Sequence, residues 1–185
     1  MSVEIVTELK NGCDVYYYPG ASAEGGKDGV IVSFVSNQGL KWQGVFAFGD
    51  ISRNAISGIF NLSGSDKFYI ISKGAGYIIS VNDPVDWAEI DAAPILNVKV
   101  SEALQIIVFA DYTGLIAYNN DGIVWRSVQL VYDGFKIISV KDSILIGTYF
   151  DPRNDEETMF EVDLTTGVSK GGIDNEVATF GRTES

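Results

Sequence analysis

The chain has 185 residues, with 25 acidic side chains against 13 basic ones and a formal net charge of −12. That balance argues against nucleic acid as a partner, because phosphate backbones are held by Lys and Arg that displace counterions. It argues equally against adhesion to anionic membranes, and it suits a protein partner with a basic surface. Histidine is absent and Cys13 is the sole cysteine. Ser-His-Asp and thiol–imidazole catalysis, Cys/His zinc sites and an intrachain disulfide are therefore excluded within this chain.

Hydrophobic residues make up 46% of the chain and aromatic ones 12%, enough for a packed core in a single domain spanning 1–185. No apolar run reaches the roughly 18 residues of a membrane span. The start, Met1-Ser2-Val3-Glu4-Ile5, lacks the basic and apolar regions of a signal peptide. Together with the lone cysteine, this gives the expectation of a cytoplasmic protein. On that expectation the sequon Asn61-Leu62-Ser63 is accidental.

In chain order, strands are expected at Val3 to Leu9, Val15 to Tyr18, Val30 to Val35 and Lys41 to Phe48. Ile56 to Leu62 and Lys67 to Ser72 follow. The clearest stretch is 94–128, four short runs joined by tight turns. Leu104 to Ala110 is apolar and rich in β-branched and aromatic residues, as in a strand buried on both faces. Asn120-Asp121-Gly122 reads as a type I′ hairpin turn, whose two central residues need positive φ. Phe135 to Val140, Ser143 to Phe150 and Met159 to Leu164 continue the pattern. A weak last strand falls at Val168 to Gly172, with Val177 to Phe180 as its competitor. Gly and Asp/Asn punctuation is too dense for helices.

These runs recur. Sliding 94–128 forward by about 40 residues places Asp111 on Asp151, and sliding it back by about 38 places Trp87 on Trp125. Trp42 falls near the corresponding place in a rougher N-terminal copy. Four units result, roughly 3–54, 55–93, 94–132 and 133–182. The expected fold is all-β, a small four-bladed β-propeller-like array of four-stranded antiparallel sheets. A β-sandwich or curved barrel from the same meander is the alternative.

Leu115-Ile-Ala-Tyr-Asn-Asn-Asp-Gly-Ile-Val-Trp-Arg-Ser127 and Phe160-Glu-Val-Asp-Leu-Thr-Thr-Gly167 resemble blades of quinoprotein-like and WD-like propellers, with their aliphatic-Tyr/Ala-Asp pattern, Gly turn and Trp. The resemblance implies a propeller fold and no particular activity. Quinoprotein enzymes have about twice as many blades, and their cofactor-binding residues have no counterpart here.

In a propeller, the loops from the second to the third strand and from the fourth strand to the next blade share one face, where function concentrates. That face would carry the long loop Pro19 to Gly29, Asp50 to Asn54, Lys73-Gly74, Asp91, Asp111-Tyr112, Gln129 to Asp133 and the acidic loop Asp151 to Glu157. Its candidate ligand-binding residues are Asp111, Tyr112, Asp133, Asp151 and Arg153. Asp111 and Asp151 end equivalent strands and could share a calcium ion through oxygen; otherwise each caps its own turn. No other cofactor is expected. Asp151 to Glu157 lacks the ligand spacing of an EF-hand. Gly25-Gly26-Lys27 lacks the spacing of a phosphate loop.

Two functional classes remain. One is a non-catalytic binding module, such as an inhibitor or immunity-type protein that neutralises a basic partner. The other is a carbohydrate-binding or glycoside-processing domain, with its two carboxylates among Asp111, Asp133 and Asp151. Tyr16-Tyr17-Tyr18, Trp42, Trp87 and Trp125 are read as packing, with an exposed aromatic platform as the alternative.

Overall fold

The computed structural model describes residues 1–49 and 54–173. Among these residues every regular element is a strand, and no helix is long and apolar enough to cross a membrane. Sixteen strands build four four-stranded sheets, as the blade-like array requires. By contacts the chain divides into two compact units, Met1–Val100 and Ser101–Ser185. The expected loop residues 50–53 and the competing strand Val177 to Phe180 lie outside the described residues.

The first sheet contains β1 (Ser2–Val6), β2 (Asp14–Tyr18), β3 (Gly29–Val35) and β4 (Lys41–Ala47), in the order β1-β3-β4-β2. It is mixed: β2 runs parallel to β4, with Tyr16 opposite Gly44 and Tyr18 opposite Phe46. A chain-order antiparallel meander was expected here. Two features allow the departure. The segment between β1 and β2 crosses the sheet, anchored where the Lys10 amide donates to Oε1 of the buried Gln43 (2.7 Å). The loop from Pro19 to Asp28 must then step over β4 to reach β3, and a short turn cannot do that. Its length, which suggested function, serves the topology.

The second sheet is a meander of β5 (Gly58–Asn61), β6 (Lys67–Ser72), β7 (Ala75–Ser80) and β8 (Asp83–Glu89). Its core with the first sheet is aromatic. Phe34 stacks on Trp42 at 3.8 Å between centroids, and Tyr18 stacks on Phe46 at 4.6 Å. Four side-chain donors tie the two sheets together. The Trp42 indole N–H donates to the Val81 carbonyl and the Tyr18 hydroxyl to that of Pro84. In the other direction, Ser72 donates to the Phe46 carbonyl and Tyr77 to that of Ala47. Burial, then the charge of Glu89, pushes the Tyr77 phenol up to about 12. Burial also pushes Tyr18 upward. Both phenols therefore remain protonated donors at neutral pH. Tyr17 points the other way, against Gly26, where an added Cβ would lie 2.7 Å from its own Cβ.

The third sheet is β9 (Asn97–Ser101), β10 (Ile106–Ala110), β11 (Leu115–Asn119) and β12 (Gly122–Arg126). Every residue of β10 is buried, as its uninterrupted apolar run predicts. The fourth sheet is β13 (Lys136–Lys141), β14 (Ile144–Asp151), β15 (Glu156–Asp163) and the short β16 (Ser169–Gly171). The second unit's core runs through Val108, Leu115, Ala117, Trp125, Leu145, Phe160 and Val162.

The repeat survives in fine detail. Trp87 sits opposite Ile79 and Trp125 opposite Ala117, and the bulge after each of these partners recurs at the offset of about 38 residues. Trp42 and Trp125 each donate their indole N–H to the carbonyl 39 residues later, just past the third strand of the following sheet. The type I′ turn, however, belongs elsewhere. Asn120 and Asp121 do not take positive φ; that turn is closed by Asn119 Oδ1, which accepts from the amides of Asp121 (2.9 Å) and Gly122 (3.1 Å). Two-residue turns with both φ positive are Asp142-Ser143 (48° and 67°), between β13 and β14, and Lys73-Gly74 (43° and 81°), between β6 and β7.

Candidate functional site

Three loops of the second unit meet. The turn 111–114 joins β10 to β11, residues 127–135 join β12 to β13, and residues 152–155 join β14 to β15. The amides of Leu130 (2.8 Å) and Val131 (3.3 Å) donate to the Thr113 carbonyl, and that of Gly134 to the Tyr112 carbonyl (2.8 Å). The Arg153 guanidinium stands 5.8 Å from the centroid of the Tyr132 ring. Asp111, Tyr112, Asp133 and Arg153 thus lie on loops that touch through backbone bonds and one cation–π contact, and Asp151 is the last residue of β14 beside them.

Within this cluster the two equivalent aspartates do structural work. Asp111 Oδ1 accepts from the amides of Thr113 (2.7 Å) and Gly114 (2.8 Å) and from the Thr113 hydroxyl (3.2 Å). It closes its own turn, the arrangement that a short acidic side chain favours. Asp151 is only 3% exposed. Its Oδ1 accepts from the Arg153 amide (3.0 Å) and Nε (2.9 Å), and its Oδ2 from an Arg153 terminal nitrogen (2.6 Å). This fork-shaped pairing lets the carboxylate remain charged despite its low exposure. The hydrogen bonds from Arg153 hold Asp151 below the usual carboxylate range. Both calcium candidates are therefore occupied as caps. Among the described residues no group of three or more His, Cys, Asp or Glu is placed to hold a metal ion.

The same arrangement recurs at the β15–β16 turn. Asp163 Oδ1 accepts from the Thr165 hydroxyl (2.6 Å) and amide (2.8 Å), and these bonds hold its carboxyl, like that of Asp151, below the usual carboxylate range.

Because the folded pKa of Asp151 lies below its unfolded value, its contribution to stability is present above the ordinary carboxylate range. It is lost as pH falls through the folded pKa. Asp151→Asn should therefore flatten the acid side of the stability profile. Urea midpoints measured from about pH 7 down to about pH 3 should fall less steeply in the variant than in the parent. Parallel profiles would mean that the Arg153 pairing contributes nothing.

Asp133 is exposed and Tyr112 partly so, and the acidic residues Asp155, Glu156 and Glu157 are exposed on the segment that follows Arg153. Tyr132, 50% exposed, is the residue that sequence reasoning did not single out. Its loop was recognised, but only the fold brings Arg153 to its ring. In the first unit, Gly49, Gly74, Ala75, Ala93 and Pro94 line a small pocket of about 350 Å³. Beside Gly74, the Lys73 ammonium lies 4.5 Å from the Phe48 ring centroid.

No family model and no curated protein matches the chain. Among solved structures it is similar to the crystal structure of the N-terminal domain of Nup159, at 12% identity and a TM-score of 0.41. That similarity extends over 80% of this chain and 39% of that one. The chain thus covers well under half the length of that structure.

Proposed function

We propose that the protein is a non-catalytic interaction module, of inhibitor or immunity type, that engages a basic protein through the loop cluster of its second unit. The observation that supports this most is the surroundings of Tyr132. A half-exposed tyrosine is steadied by Arg153, its chain neighbour Asp133 is an exposed carboxylate, and Asp155 and Glu156 are exposed on the segment that follows Arg153. Aromatic side chains of this kind anchor protein interfaces, while surrounding charge steers an oppositely charged partner. A carboxylate-dependent reaction finds less support. Asp111 and Asp151, two of its three candidate carboxylates, are committed to turn donors and to Arg153. A cytoplasmic site of action belongs to the same proposal and rests on the lone Cys13.

Calorimetric titration against a panel of small basic proteins tests the reading. A partner should bind with one-to-one stoichiometry, weaken about tenfold or more between low and physiological salt, and lose affinity with Tyr132→Ala. Affinity that follows only the net charge of each panel member and ignores Tyr132→Ala would count against the loop cluster.

A further inference from the structure

The outward face of the fourth sheet is a second surface, distinct from the loops. Leu145, Tyr149, Phe160 and Val162 turn inward to the core. The alternate residues of β14 therefore face outward, and they are Ile144, Ile146, Thr148 and Phe150. Phe150 is 56% exposed, and Met159 on β15, opposite Thr148, is 60% exposed. Large apolar side chains side by side on an open sheet face mark an association surface.

On the two strands that flank this apolar row, the charges that share its face are segregated. On one side, β13 presents Lys136 opposite Thr148 and Lys141 opposite Ile144. On the other, β15 presents Glu157 opposite Phe150, Glu161 opposite Ile146 and Asp163 opposite Ile144. From β13 to β15 the face therefore reads basic, apolar, acidic, and the edge strand β16 adds one exposed cation, Lys170, opposite Glu161.

We propose that a second copy of this chain covers this face, with the two fourth sheets packed about a two-fold axis that runs along β14. Rotation about such an axis lays each β14 on its own copy and exchanges the flanks. The basic β13 of one protomer then faces the acidic β15 of its partner, with Lys141 at the level of Asp163 and Lys136 between Glu157 and Glu161. An isologous contact requires this self-complementarity, and sheets packed face to face stand about 10 Å apart, within reach of these side chains. Two-fold packing with the strands antiparallel would not exchange the flanks and would set like charges together.

Sedimentation equilibrium of the full chain from about 1 μM to about 1 mM reads the result, together with three variants. The parent should pass from the 20.1 kDa monomer to twice that mass. Phe150→Lys alters an exposed side chain, so the fold is retained, and it should raise the dimer Kd by about tenfold or more. Lys136→Glu/Lys141→Glu and Glu157→Lys/Glu161→Lys should each weaken self-association, and mixing the two should restore it as a heterodimer. A parent that stays monomeric throughout overturns the proposal, as does a dimer that Phe150→Lys leaves intact. Failure of the mixture to recover the dimer overturns it too, since the axis along β14 requires that exchange.

Discussion

Trp125→Ala is expected to lower stability by about 3 to 5 kcal/mol, the range for deleting a large buried aromatic side chain. The ring is only 8% exposed and belongs to the core shared by the third and fourth sheets. Two terms add. The cavity loses the contacts of a large ring, and the Leu164 carbonyl loses the indole N–H that reaches it at 2.8 Å. Trp125→Phe separates them, because it retains much of the packing and none of the hydrogen bond. Urea unfolding of the parent and both variants should place the phenylalanine form between the other two. A midpoint that does not move in the alanine form would put the ring at the surface, and would revive an aromatic platform at this position.

The tryptophans also show what was legible in the sequence. Their spacing identified them as packing residues, and the fold bears this out for Trp42 and Trp125. Each spans from one sheet to the next through the same bond to a carbonyl 39 residues on. Periodicity of this kind is visible because each blade-like unit repeats one physical solution, so its core positions recur at a fixed offset. Strand positions were legible for the same reason: Lys67–Ser72 forms β6 as expected, and even the weak last strand forms, as Ser169–Gly171.

The first sheet was not legible in that way. Val15 to Tyr18 has the alternation of any half-buried strand, and alternation does not say which neighbour a strand pairs with or in which direction. The parallel pairing of β2 with β4 is fixed by contacts remote in sequence, Tyr18 on Phe46 and the Lys10 amide on Gln43. The candidate site was legible only in part. Equivalence within the repeat brought out Asp111 and Asp151 together, yet the same positions suit a turn cap and a cation ligand. The fold gives each aspartate its own donors. Tyr132 escaped because a ring on a loop carries no period, and its partner Arg153 belongs to a different hairpin.

Gly167→Ala is expected to cost about 2 to 5 kcal/mol, although it adds one methyl group. Two penalties combine. Gly167 has φ of +74°, a conformation that costs an L-residue roughly 1 to 2 kcal/mol. A Cβ there would also lie 2.7 Å from Cε3 and 2.8 Å from Cδ2 of the Trp125 ring, and overpacking of this kind costs roughly 1 to 3 kcal/mol. The ring cannot readily retreat, since its N–H is bound to the Leu164 carbonyl in the same turn region. A double-mutant cycle separates the penalties. In the Trp125→Ala background the clash is gone and only the backbone term remains. Gly167→Ala should then cost about 1 to 2 kcal/mol, and the double variant should be more stable than the sum of the single effects by roughly the overpacking term. Equal costs in both backgrounds would show that Gly167 serves only the left-handed turn. A cost near zero in the parent would show that the turn and the ring both yield, and that Trp125 is not fixed by the segment it donates to.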